Sequence, residues 1–127
     1  MVVLKKHPAR MDSYRPGTHL LSSFGAPADK LTDLEGCRAH FDGLIAAHQL
    51  EKVGDVYHAF PDGGFTAVVA LSESHLSIHT WPAFGTATFD VFLSNFRRDN
   101  GDRTRAIFDE TIRYFGATVH NRASITR

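Results

Sequence analysis

One short segment holds the highest density of groups that could do chemistry. Residues 72–82 read Ser-Glu-Ser-His-Leu-Ser-Ile-His-Thr-Trp-Pro, in which hydroxyl and imidazole side chains lie close together. A serine hydroxyl becomes a useful nucleophile when a nearby base can accept its proton. His75 and His79 supply imidazoles within the segment, and Asp90 follows on the next predicted strand. The segment is therefore the first candidate for an active site.

Three interpretations follow from residue type and spacing. The polar side chains could fill a half-buried sheet face and satisfy one another with hydrogen bonds. His75 and His79 share a strand face at a spacing of four and could bind a metal ion with Asp90. Ser74, His79 and Asp90 could form a hydrolase triad, although the G-x-S-x-G turn that exposes such a serine is absent. Spacing alone leaves all three open.

The elements that must position this segment are short strands interrupted by two helices. Apolar residues three or four apart predict one helix around Leu34–Ile45 and another around Ala106–Phe115, which Gly116 ends. Strands are predicted at 18–24, 53–60, 65–71, 75–81, 86–93 and 117–125. Short turns between the strands favour an α+β two-layer sandwich, with a mainly antiparallel sheet covered on one face by two helices.

The ends of the chain and its charged loop are predicted from composition. Residues 1–16 carry four basic residues and two prolines without an apolar period, and are predicted to form a basic N-terminal arm. Residues 17–127 are then the folded domain. The charges between Arg97 and Asp102 are predicted to lie in a solvated loop.

Side-chain alternation on the strands separates a core face from a second face. Ala87, Phe89, Val91 and Leu93 form one apolar row, which is predicted to lie under the helices. The opposite rows collect hydroxyls and imidazoles, but they also contain apolar members that a solvated face would not favour: Val68, Ala70 and Phe92. A homodimer is therefore predicted, in which two sheets pack face to face in an αββα arrangement.

Composition excludes several classes of partner. Fourteen basic residues balance fourteen acidic ones, so the net charge gives no reason to expect nucleic acid or an anionic membrane. No run approaches the roughly 20 apolar residues of a membrane span. Cys37, the only cysteine, lies on the apolar stripe of the first helix and is predicted to be buried. The expected location is the cytoplasm.

The segment Leu71–Pro82, followed by Asp90-Val91-Phe92, resembles the signature of the prokaryotic S-adenosylmethionine decarboxylases. The resemblance runs from about His19 to the C-terminal helix. It implies an enzyme of polyamine synthesis that cuts itself between Glu73 and Ser74, giving a 73-residue β chain and an α chain of the remaining 54 residues. It also implies that Ser74 becomes a covalently bound pyruvoyl group, and no metal ligand is among the predicted site residues.

The resemblance further implies how that group forms and acts. The pyruvoyl group would form a Schiff base with a small amino-acid-type substrate and accept electrons as carbon dioxide leaves. His79 would be the base in self-cleavage, with the hydroxyl of Thr66 as a helper. The odd spacing of five places Ser74 and His79 on opposite faces of an ideal strand. A bend in the chain is therefore predicted near Ser74.

Substrate contacts and two departures from the family pattern complete the resemblance. Phe60 matches an aromatic residue associated with adenine, and Trp81 and Asp90 are further candidates for substrate binding. Ala83 stands where the family has a glutamate that holds the nucleoside. Ser94 stands where the family has a cysteine that donates a proton, and an alcohol is a much weaker acid than a thiol. These departures leave two alternatives open: the same chemistry on ornithine or arginine, and a non-catalytic homologue.

Overall fold

A computed structural model of the chain describes residues 14–127. Its strands are β1 Thr18–Gly25, β2 Lys52–Ala59, β3 Phe65–Leu71, β4 Ser74–Trp81, β5 Thr86–Leu93 and β6 Thr118–Thr126. Its helices are α1 Ala28–Leu31, α2 Leu34–Ala47 and α3 Gly101–Phe115, and Pro82–Phe84 forms a 3-10 turn. The predicted α+β class and order of elements are confirmed. Most of the predicted N-terminal arm lies outside the described residues.

One helix was not predicted. α1 has four residues and follows Pro27, so it is too short to show an apolar period, and only Leu31 is buried. The two longer helices agree with their apolar patterns, and the side chain of Asp33 caps α2 by accepting a hydrogen bond from the Gly36 N–H. The described part of the chain therefore has three helices beside the sheet, where two were predicted.

The sheet has six strands in the order β2-β3-β4-β5-β1-β6, and the neighbours pair antiparallel. β4 lies between β3 and β5, so the candidate segment occupies the interior of the sheet. Ser74 is paired with Leu71 on one side and with Leu93 on the other. β1 lies between β5 and β6, which brings His19 opposite Phe92. Sequence order alone does not predict this placement of β1.

The core lies between one face of the sheet and the helices. The predicted row on β5 is fully or almost fully buried, and α2 and α3 each bury one apolar stripe against it: Cys37, Phe41, Leu44 and Ile45 from α2, and Ile107, Phe108 and Phe115 from α3. Cys37 is completely buried in this core, as predicted, and burial raises its pKa to about 12, so the thiol is unreactive at neutral pH. The core face is therefore committed to packing, and chemistry must occur on the opposite face or at the strand ends.

The opposite face of the sheet carries exposed apolar side chains. Val56 and Val68 are cross-strand partners on this face and are 64% and 50% exposed. Helices of the described part of the chain do not cover them. No helix in residues 14–127 combines the length and the hydropathy needed to cross a membrane. The face is available to a partner, and the homodimer stays a prediction.

Candidate active site

Ser74 begins β4 directly after a tight hairpin turn. Leu71 and Ser74 are paired, so only Ser72 and Glu73 form the turn. Ser74 has a φ of 133°, which non-glycine residues rarely adopt and which costs about 1–3 kcal/mol. The predicted bend near Ser74 is thus confirmed. The strained backbone belongs to the residue that follows the predicted scissile bond.

Hydrogen bonds fix both the backbone carbonyl and the side-chain carboxylate of Glu73. The backbone N–H of Ser94 donates to the Glu73 carbonyl oxygen at 2.8 Å, as the donor of an oxyanion hole does. The Glu73 carboxylate accepts from Arg98 Nε at 3.0 Å, from Arg98 Nη2 at 2.7 Å and from Asn100 Nδ2 at 2.8 Å. Asn100 is fully buried and also donates to the Ser94 carbonyl at 2.8 Å. The backbone and the side chain of Glu73 are therefore both fixed by residues of the segment directly after β5.

Hydrogen bonds from Arg98 hold the pKa of Glu73 below its ordinary value. A lowered carboxyl pKa means that the folded protein binds this proton less readily than the unfolded chain does. The Arg98–Glu73 pair therefore stabilises the folded state at pH values above the ordinary carboxyl pKa. This stabilisation is lost as the pH falls through the lowered pKa of Glu73. At neutral pH Glu73 is a paired carboxylate.

The prediction that residues 97–102 form a solvated loop is correct for only part of this segment. Asp102 lies in α3, and Arg98 and Asn100 bind the Glu73 carboxylate, whereas the other two charged residues of the segment are exposed as expected. The partner of Arg98 and Asn100 lies 25 or more residues upstream in sequence, and local charge patterning contains no information about it. The sequence offered one indication of a role for Asn100, its place directly before a helix. That position predicts a helix cap and not a hydrogen bond to the distant Glu73.

A cluster of imidazoles surrounds Asp90 on the open face of the sheet. The Oδ2 atom of Asp90 lies 2.7 Å from His19 Nε2 and 3.1 Å from His75 Nε2. Ser77 donates its hydroxyl to the Oδ1 atom of Asp90. The second ring nitrogen of His75, Nδ1, lies 3.1 Å from the hydroxyl oxygen of Ser74. His19 was not among the predicted site residues, since only the β1–β5 pairing brings it here.

The same cluster tests the interpretation that these side chains bind a metal ion. One atom each of His19, His75 and Asp90 lie within 4.8 Å of one another, close enough to hold a metal ion. His79 does not belong to this group, because residues four apart on a strand are separated by about 13 Å. The proposed pair of His75 and His79 is therefore wrong. Direct hydrogen bonds to Asp90 already satisfy the converging imidazole nitrogens.

A second cluster lies at the other end of β4 and contains most of the remaining predicted residues. The His79 ring lies 4.2 Å from the Trp81 ring and 5.4 Å from the Phe60 ring, measured between centroids. Thr66 is the cross-strand partner of His79. Phe60, His79 and Trp81 line a pocket of about 360 Å³ together with Asp62. We call this group the aromatic cluster.

The aromatic cluster is far from Ser74 within one protomer. Ser74 and His79 are five residues apart on one strand, which corresponds to about 16 Å at 3.3 Å per residue. The hydrolase triad of Ser74, His79 and Asp90 is therefore wrong. The protomer brings Ser74 together with Glu73, His75, Asp90 and the backbone of Ser94, and it keeps Thr66, Phe60, His79 and Trp81 apart from them.

A cleft of about 530 Å³ opens beside the turn. Ser94 lies on its wall with Ser72, Glu73 and Arg98. Ala83 lies instead in the exposed 3-10 turn directly after Trp81, beside the aromatic cluster. The two departures from the family pattern thus lie at opposite ends of β4, each next to one cluster.

Comparison with known proteins adds to this geometry. The sequence model described as S-adenosylmethionine decarboxylase matches residues 18–127, which is nearly the whole described chain. The chain belongs to the S-adenosylmethionine decarboxylase family. The crystal structure of the adenosylmethionine decarboxylase from Aquifex aeolicus superimposes with a TM-score of 0.74 at 30% sequence identity, over 90% of each chain. The fold predicted from the resemblance is therefore confirmed.

Curated members of the family share the sequence over shorter spans. The S-adenosylmethionine decarboxylase proenzyme of Aquifex aeolicus is 43% identical over 77 residues, which are 60% of this chain and 57% of that protein. The proenzyme of Picrophilus torridus is 31% identical over 103 residues, which are 80% of this chain and 76% of that protein. Several of these matches thus span somewhat less than two thirds of the relative.

The Arg98–Glu73 pair yields a prediction about self-cleavage in this family member. A hydrogen bond to a charged group contributes about 1.5–3 kcal/mol, so Arg98→Ala should release the turn and slow cleavage about 10- to 100-fold. Arg98→Lys should restore part of the rate by returning the charge. Arg97→Ala is the matched control, because Arg97 lines the same cleft without a hydrogen bond to Glu73. The half-time of chain cleavage on denaturing gels measures the effect, and equal half-times for both alanine variants would contradict it.

Proposed function

We propose that this protein is a self-cleaving, pyruvoyl-dependent decarboxylase that acts on S-adenosylmethionine in polyamine synthesis. The main support for the proposal is the geometry around the peptide bond between Glu73 and Ser74. The bond lies in a strained turn, its carbonyl accepts the Ser94 N–H, and the Ser74 hydroxyl has an imidazole beside it. Family membership supports the same conclusion. The cytoplasm is the proposed location, in keeping with a single buried thiol.

Self-cleavage proceeds in two stages on these residues. The Ser74 oxygen attacks the Glu73 carbonyl carbon, a carbon–oxygen bond forms, and the carbon–nitrogen bond breaks to free the Ser74 amine. The Ser94 N–H stabilises the negative charge on the carbonyl oxygen. A base then removes the Cα proton of Ser74, and Glu73 leaves as a carboxylate. Hydrolysis of the resulting enamine releases ammonia and leaves a ketone at the new N-terminus.

Ser74 fits this role as the precursor of the pyruvoyl group. Its hydroxyl, the neighbouring carbonyl and a donor to that carbonyl are assembled at one point of the fold. When present, the group supplies a carbonyl that withdraws electrons during decarboxylation. The chain's own residues must bind the substrate, exclude water and return a proton. Asp90 stays a proposed substrate contact, although its carboxylate is engaged with His19, His75 and Ser77.

We propose further that the active unit is a homodimer, because one protomer does not bring His79 to Ser74. If two open sheet faces pack about a two-fold axis with their β4 strands antiparallel, the aromatic cluster of one copy lies over Ser74 of the other. The partner's His79 is then the base that removes the Ser74 Cα proton, with the partner's Thr66 beside it. The partner's Phe60 and Trp81 would hold the substrate. The exposed Val56 and Val68 support burial of this face.

Ser94 is the proposed proton donor to the product carbon, acting from the wall of the cleft. A thiol has an ordinary pKa near 8.5 and an alcohol is a far weaker acid, so Ser94→Cys should raise turnover per pyruvoyl group by about tenfold or more. Ser72→Cys is the matched control, because Ser72 lines the same cleft. The measurement is kcat divided by the fraction of cleaved chain. An unchanged or lower value for Ser94→Cys would mean that another group donates the proton.

The substrate is tested by carbon dioxide release. Purified cleaved protein should release it from carboxyl-labelled S-adenosylmethionine. Release from ornithine or arginine alone would overturn the substrate assignment and would fit the missing carboxylate at Ala83. Cleavage without turnover of any of the three would identify a non-catalytic homologue. Mass spectrometry of the same preparation shows whether the chain has been cleaved. A protein that does not cleave itself is thereby distinguished from a cleaved protein that does not decarboxylate the substrate.

A further inference from the structure

The first stage of self-cleavage needs a base that the proposed role of His79 does not supply. The Ser74 hydroxyl must lose its proton as it attacks the Glu73 carbonyl, before any Cα proton is removed. The nearest imidazole belongs to His75, whose Nδ1 atom lies 3.1 Å from the Ser74 oxygen. The opposite ring nitrogen, Nε2, lies 3.1 Å from Asp90 Oδ2. Nucleophile, imidazole and carboxylate therefore form a continuous chain of hydrogen bonds.

The carboxylate fixes which nitrogen of His75 carries the proton. An ionised carboxylate only accepts hydrogen bonds, so His75 Nε2 must be the donor. In the neutral ring Nδ1 is then unprotonated and can accept from the Ser74 hydroxyl. This is the arrangement of nucleophile, base and orienting carboxylate found in catalytic triads. It differs from a hydrolase triad because the attacked carbonyl belongs to the preceding residue of the same chain.

His19 and Ser77 hold Asp90 in place for this task. His19 is almost completely buried and lies 2.7 Å from Asp90 Oδ2 through its Nε2 atom. Among the described residues, its Nδ1 atom has no hydrogen-bond partner, so the contact with Asp90 is the hydrogen bond that orients the His19 ring. Ser77 donates to the second carboxylate oxygen. Asp90 is thereby kept oriented towards His75.

We infer that His75 is the catalytic base of the first stage, with Asp90 and His19 as positioning residues. His75 takes the proton from the Ser74 oxygen as the ester bond forms and gives it to the Ser74 nitrogen as the amide bond breaks. No proton is gained or lost overall, and no ion or co-reactant is required. The inference rests on the proposed self-cleavage, and it separates this step from the later Cα proton removal by the partner's His79.

Hydroxylamine distinguishes the two stages, because it cleaves an ester between Glu73 and Ser74 but does not cleave an amide under mild conditions. Freshly translated chains are incubated with and without hydroxylamine and weighed by mass spectrometry. His79→Ala should form the ester and be cut only with hydroxylamine. His75→Ala should form it at least about 100-fold more slowly, since general base catalysis contributes that much. Asp90→Asn should also slow ester formation while Cα proton removal from any ester formed continues.

Free imidazole provides a readout that a structural defect would not change. It should partly restore ester formation in His75→Ala by filling the space beside Ser74, and it should not restore Ser74→Ala. Ester formation in His75→Ala at the wild-type rate would overturn the inference. Arrest of the wild-type chain by a chelator would also overturn it, because the cluster would then be a metal centre. A wild-type chain that forms no ester and stays whole would overturn the proposed function and the inference with it.

Discussion

Ser74→Ala is expected to abolish both cleavage and decarboxylation, leaving a single chain of 127 residues. Alanine has no hydroxyl to attack the Glu73 carbonyl, and the ketone has no other precursor in this turn. The loss should be complete, because every later stage depends on the first. Intact mass and carbon dioxide release measure the two effects on one preparation.

Two further variants separate the hydroxyl of Ser74 from the folding of the turn. Ser72→Ala removes the other hydroxyl of the same turn and should be cut at the wild-type rate. Ser74→Cys keeps a nucleophile at the reacting position and should still be cut, at a different rate. Cleavage of Ser74→Ala at residue 73, or failure of Ser72→Ala to be cut, would show that the nucleophile is elsewhere.

Mixed dimers are expected to rescue cleavage between two variants that each fail alone. His79→Ala has Ser74 but lacks the Cα base, and Ser74→Ala has His79 but lacks the nucleophile. In a mixed dimer the His79→Ala chain meets the partner's His79, so that chain should be cut. Equal amounts of the two chains pair at random, and about half of the His79→Ala chains should therefore become cleavable.

Tags of different mass on the two chains make the experiment quantitative. Mass spectrometry after co-expression identifies which chain has been cut, and the Ser74→Ala chain serves as the internal uncut control. Absence of cleavage in co-expressed chains that do form dimers would show that His79 does not act across the interface. Wild-type cleavage by a protomer that stays monomeric at all concentrations would contradict the dimer itself.

The local pattern of the sequence predicted most of the fold. Alternation at Phe89 and Val91 assigned the core face of β5, and the three-and-four spacing around Phe41 assigned α2. These predictions succeed because burial of an apolar stripe is decided within one element. The four-residue helix α1 was missed because no stripe can be read from a single turn.

The candidate site was only partly predictable because its contacts join distant parts of the chain. The resemblance identified Ser74 and its neighbours, and side-chain parity predicted the bend confirmed by the φ of Ser74. His19 contacts Asp90 only because β1 inserts between β5 and β6, which a local pattern does not specify. Arg98 reaches Glu73 from the loop between β5 and α3, 25 residues later in the sequence. Strand order and loop path, rather than residue type, placed these groups.

The most direct test of the account is the intact mass of wild-type protein purified in active form. It should resolve a β chain ending at Glu73 and an α chain lighter by one ammonia than the same chain beginning with serine. A carbonyl reagent should add to the α chain alone, and loss of activity should follow that addition. Active protein that consists only of the uncut chain, with Ser74 unmodified, would contradict the account.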